Sequence, residues 1–182
     1  MKHTPSSFIK AYQELHSFNE PILYANMSAQ EIENFENQNE QKLIQLFEDI
    51  SDSFPLMKSL LSYDKYSLDP HDSLITRFSF SDKGILVIHL NAYVYDNETK
   101  EYDWSVVQDI KFSFDVSNLP KGGLLFSRES TIDLFYFDEH ELALSFWQKN
   151  TGKEITQTIS IKSVDVTIGE IQSVKPLKKL KI

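Results

Sequence analysis

Asp69-Pro70-His71-Asp72-Ser73 is the segment whose residue types and spacing come nearest to chemistry. An imidazole beside a carboxylate can ligate a metal ion or pass a proton, so a metal-dependent hydrolase using His71 and Asp72 is one reading. Such a centre needs further His and Asp ligands, and the sequence places no matching set around it. The competing reading is structural: Asp72 caps a turn or takes backbone donors, and His71 packs where a strand begins. We assign His71 and Asp72 to a structural turn, with no catalytic residue, no metal ligand and no cofactor.

The other histidines offer less. His3 and His16 fall in a helical stretch and His140 in a turn. His89 alternates onto the polar face of a strand with Asn91, Tyr93 and Tyr95. Aromatic bodies with polar tips can line a cavity, so a small-ligand-binding sheet or barrel facing His89, Tyr93 and Tyr95 is the alternative function. Glu139-His140-Glu141 lacks the second histidine of a zinc-protease helix. There is no Walker A sequence, no G-x-G-x-x-G and no G-x-S-x-G, and five glycines supply little phosphate-cradling backbone. Cysteine is absent, which removes thiol catalysis, Cys-ligated zinc and disulfides together.

The acids cluster instead of pairing. Asp96, Glu98, Glu101 and Asp103 share one connection with Tyr102 and Trp104, and Asp138, Glu139 and Glu141 share another. Aromatic anchors ringed by like charge suit a protein interface, so Asp96, Glu98, Tyr102, Asp103 and Trp104 are the expected partner-binding residues. The whole chain holds 18 Lys and Arg against 27 Asp and Glu, a formal charge of −9. That balance argues against nucleic acid or an anionic membrane and toward a basic protein partner. Lys175, Lys178, Lys179 and Lys181 form a basic end, leaving 14 cations against 27 acids elsewhere. A last strand or short helix lying along the acidic body, with Val174, Leu177, Leu180 and Ile182 interleaved, accounts for it. No leader segment and no apolar window of membrane-spanning length stand out, so a cytoplasmic protein is expected.

These residues need elements to position them. In residues 1–66 the apolar period is 3.6. Thr4-Pro5 opens a helix carrying Phe8, Tyr12 and Leu15, and Glu20-Pro21 stops it. Ser28-Ala29-Gln30-Glu31 is a capping box, followed by Ile32 and Phe35. The polar run from Asn34 to Gln41 breaks or exposes the middle, before Leu43, Phe47 and Ile50 resume the face. Phe54-Pro55 opens a short segment with Leu56, Leu60 and Leu61.

After Tyr66 the period drops to two. Leu74, Thr76, Phe78 and Phe80 share one face of a first strand, and Asp82-Lys83-Gly84 turns it. Leu86, Ile88, Leu90, Ala92 and Val94 line the next, and Val106, Ile110, Phe112, Phe114 and Val116 the one after. Ile132, Leu134 and Tyr136, then Leu142, Leu144 and Phe146, then Ile155, Ile159 and Ile161 continue the series. Turns fall at Asp138-Glu139-His140 and Asn150-Thr151-Gly152-Lys153. Short strands with no helices between them read as antiparallel. The expected architecture is one α+β domain over 1–182. N-terminal helices (1–66) pack on a twisted antiparallel meander of six to eight strands (67–170), open to partial barrel closure, with a basic tail at 171–182.

Pro70-His71-Asp72-Ser73, followed by Ile75, Phe78, Phe80 and Leu86-Val87-Ile88-His89-Leu90, resembles bacterial polymorphic-toxin immunity-type proteins. In these a His-Asp turn precedes the first strand of an antiparallel sheet. The resemblance leaves the first 66 residues outside it. It implies a non-enzymatic inhibitor that occludes the active site of a cognate toxin, many such toxins being basic nucleases. It also implies that His71 and Asp72 shape a turn. The oligomeric state stays open.

Overall fold

The structure is a computed structural model that describes residues 3–17, 27–48, 53–126, 130–148 and 152–173. Among these residues it is α+β, with three helices and one curled antiparallel sheet. Helix α1 (Pro5–Ser17) starts on a reciprocal cap: Thr4 N–H donates to Ser7 Oγ at 2.9 Å and Ser7 N–H to Thr4 Oγ1 at 3.3 Å. Helix α2 (Ala29–Glu48) uses the expected capping box, with Ser28 N–H donating to Glu31 Oε2 at 2.8 Å and Glu31 N–H to Ser28 Oγ at 3.4 Å. Its polar middle does not break it but is largely exposed. Helix α3 (Pro55–Leu61) is short and buries Met57 and Leu61. Glu20-Pro21, Ile50, Asn150-Thr151 and the lysine-rich end from Val174 lie outside the described residues.

The strands are β1 (Ser62–Tyr63), β2 (Tyr66–Asp69), β3 (Ile75–Phe80), β4 (Ile85–Asp96), β5 (Glu101–Asn118), β6 (Thr131–Phe137), β7 (Glu141–Gln148) and β8 (Lys153–Ser173). The sheet thus starts at Ser62, inside the stretch read as helical. It also continues to Ser173, so 171–173 pair with β5 instead of beginning a tail. The order β1-β2-β4-β5-β8-β7-β6, with β3 also on β4, departs from a simple meander. Two hairpin ladders, β3-β4-β5 and β6-β7-β8, are joined by the long-range pair β5–β8. β4 is long enough to pair β3 along its first half and β2 along its second. An isolated bridge, Leu74 to Thr131, ties the entrance of β3 to the far edge at β6, through Ile132 N–H to Ser73 O at 2.7 Å. The sheet therefore curls into a half-barrel.

Alternation sets the core. Leu86, Ile88, Leu90, Ala92 and Val94 of β4 are buried, as are Ile110, Phe112 and Phe114 of β5. Phe112 and Phe114 meet Phe135 and Phe137 of β6 with ring centroids 4.9–6.3 Å apart. Each fully buried phenylalanine contributes about 1.5–3 kcal/mol of hydrophobic stabilisation. Two expected faces change. A bulge between Ile75 and Arg77 reverses the start of β3, so Ile75 is buried and Leu74 exposed. In β6, both faces are buried at the end: Tyr136 points away from the phenylalanines and meets Phe8 at 4.5 Å and Phe54 at 5.2 Å. Ser6 N–H also donates to Glu141 Oε1 at 2.6 Å. On the opposite side a Cβ at Gly169 would lie 3.1 Å from Asp109 O, so glycine lets β8 run close beside the β5 bulge.

Candidate functional site

The chemistry gathers where β2 ends. Asp69 is the last residue of β2, and Pro70 leads into a turn at His71-Asp72, with Asp72 in the left-handed region at φ 54°. Asp69 Oδ1 accepts the His71 backbone N–H at 3.0 Å and also the His71 ring at Nδ1. Its other oxygen, Oδ2, accepts the Tyr102 hydroxyl. The turn is therefore present, but the carboxylate on His71 is Asp69 and not Asp72. The signal was available in the sequence: an aspartate two residues before an acceptable donor, with proline between, is an Asx-type turn.

Burial pushes the Asp69 carboxyl up, but hydrogen bonds from His71 and Tyr102 outweigh it and hold the group below the usual range. Asp69 thus stays an acceptor only, which keeps the proton on His71 Nδ1 and leaves Nε2 as the nitrogen with a free lone pair in the neutral ring. Burial, and then the bond to Asp69, push the Tyr102 phenol well above its ordinary value.

Tyr102 also belongs to an aromatic row on the outer face of β4 and β5. It lies 5.0 Å from Tyr95 and 4.9 Å from Trp104, and Trp104 lies 5.2 Å from Tyr93. Trp104 is 66% exposed. The expected partner-binding residues divide here. Glu98, Asp103 and Trp104 are at the surface. Asp96 and Tyr102 are engaged within the fold. Asp96 Oδ1 accepts Glu98 N–H at 2.8 Å and Thr99 N–H at 3.2 Å, and Oδ2 pairs with Lys65 Nζ at 3.1 Å.

A cavity of about 470 Å³ opens beside this centre. Phe54, Met57 and Leu61 from around α3 and Leu68 of β2 supply apolar walls, while His71 and Tyr136 stand together with ring centroids 5.1 Å apart. Among the described residues, neither His71 Nε2 nor Tyr136 Oη has a hydrogen-bond partner, and both atoms are closed to bulk water. Tyr95 lines this cavity, but His89 and Tyr93 stand elsewhere. His89 Nδ1 is 4.0 Å from Asp109 Oδ2, and Tyr93 rests on Trp104. Tyr136 carried no sequence signal, since it alternates like any strand residue. Only the folded chain brings it to His71.

No protein-family model, curated protein or solved structure matches this chain. Its site must be read from its own geometry. Among the described residues, no three His, Cys, Asp or Glu side chains are grouped to hold a metal ion, and no helix is long and apolar enough to cross a membrane.

Proposed function

We propose that this chain is a non-enzymatic, cytoplasmic binding protein whose outer β4–β5 face docks another protein. The resemblance at residues 70–90 makes that partner a basic bacterial toxin whose active site is occluded. Exposed Trp104, braced between Tyr93 and Tyr102, is the observation that carries this reading. A large aromatic held in place by its neighbours loses little freedom on binding, and such residues dominate interface energies. Glu98, Glu101 and Asp103 are exposed on the same turn and strand, a charge pattern that speeds encounter with a cationic partner and disfavours nucleic acid. In this reading α1 covers β6 and β7 and α3 reaches β1, β2 and β6, which leaves Trp104 exposed.

The test is co-expression with the toxin domain encoded in the neighbouring reading frame. The chain should restore growth, and Trp104→Ala should weaken the purified complex by more than about 2 kcal/mol. Association should slow as salt is added. Full protection by the Trp104→Ala protein, with unchanged affinity, would remove this face from the interface.

A further inference from the structure

We propose that the cavity beside Asp69 is a binding site for a neutral small molecule with an apolar body and one hydroxyl group, held between His71 Nε2 and Tyr136 Oη. This goes beyond the protein-docking reading and does not rest on it. Buried polar atoms are nearly always hydrogen-bonded, because leaving one unpaired forfeits its bond to water. Here two atoms with no partner among the described residues belong to neighbouring rings, 5.1 Å apart, that wall the same cavity. Tyr136 is 2% exposed.

The two atoms define the ligand between them. Tyr136 keeps its phenolic proton and offers a donor. His71, its Nδ1–H donated to Asp69, offers an acceptor at Nε2 in its neutral form. A hydroxyl is the simplest group that donates to one and accepts from the other. The ionised Asp69 behind His71 works against an anion, and the walls of Phe54, Met57, Leu61 and Leu68 favour an apolar body. The volume of about 470 Å³ is in the range of small-molecule pockets. Because both polar atoms are covered, a ligand reaches them only after a side chain lining the cavity shifts, a rotamer adjustment of the kind common on binding.

Three probes with one body separate the possibilities: 4-propylphenol, propylbenzene and 4-propylbenzoate. Each is titrated into the full chain at neutral pH, with the His71 ring resonances followed by NMR. The phenol should bind with a shift at His71 Nε2, and about tenfold more tightly than the hydrocarbon, the scale of one well-made hydrogen bond. The benzoate should bind less well than the phenol even though Lys58 lies at the cavity. Tyr136→Phe should reduce the preference for phenol over hydrocarbon while raising the melting temperature, since it deletes an unpaired buried hydroxyl. A merely structural tyrosine would lower the melting temperature and leave the preference unchanged. Met57→Trp, which fills the cavity and keeps both polar atoms, should weaken all binding. No binding by any probe, equal binding by all three, preference for the benzoate, or a preference undiminished in Tyr136→Phe overturns the proposal.

Discussion

Asp69 and Asp96 sit at opposite ends of the short ladder between β2 and β4, and both begin with the same local device. Each accepts a backbone N–H from two residues onward, His71 at 3.0 Å and Glu98 at 2.8 Å, which is the Asx turn. Their second oxygens part company. Asp96 Oδ2 meets Lys65 near the surface, whereas Asp69 Oδ2 meets Tyr102 beneath the aromatic row. Both carboxyls are held below the ordinary range. For Asp96 the Glu98 amide leads, while for Asp69 the bonds from His71 and Tyr102 must first overcome burial. A turn that caps a loop at the surface becomes, once covered, the anchor of a polar network.

Deleting each carboxylate in turn should separate the two turns most clearly. Asp69→Ala leaves the His71 Nδ1–H and the Tyr102 hydroxyl without their acceptor. It should lower unfolding stability by about 2 kcal/mol in a urea titration. Asp96→Ala should cost clearly less, because water takes up the donors it releases. Equal losses would show that burial adds nothing to the Asp69 turn.

Acid titration sharpens the same point. The folded chain holds the Asp69 proton less tightly than the unfolded chain, so on acidification the unfolded state takes it up first. The stability this carboxylate contributes is present above the ordinary value of about 3.9 and is lost as pH falls through the lower native one. Asp69→Asn should therefore flatten the acid limb of stability against pH. An unchanged acid limb would mean that Asp69 is not ionised in a favourable setting.

The smallest effect separates the network from the aromatic row. Tyr102→Phe keeps the ring between Tyr95 and Trp104 and removes only the hydroxyl. It should cost about 1 kcal/mol and raise the Asp69 pKa in an NMR titration, with Trp104 fluorescence unmoved. A shifted Trp104 emission would show that the hydrogen bond to Asp69 also positions the row.

How much of this was legible in the sequence differs by residue. The capping box at Ser28 and Glu31 and the buried face Leu86 to Val94 follow from side-chain chemistry a few positions apart, and both read correctly. The phase of β3 did not, because a bulge depends on the partner strand. Asp69 stood in plain view, but its role passed to Asp72, the nearer neighbour of His71. The β5–β8 pairing that joins the two ladders has no local signature at all.

Composition and the periods of 3.6 and 2 were enough for most of the elements, the α+β class, the absence of thiol chemistry and the acidic balance, but not for β1 and β2. What the polar residues do depends on how the chain folds. Tyr102 reaches Asp69 from 33 positions away, and Tyr136 reaches His71 across the closure between β3 and β6. Such meetings depend on how the sheet curls, and curl is a property of all the strands together.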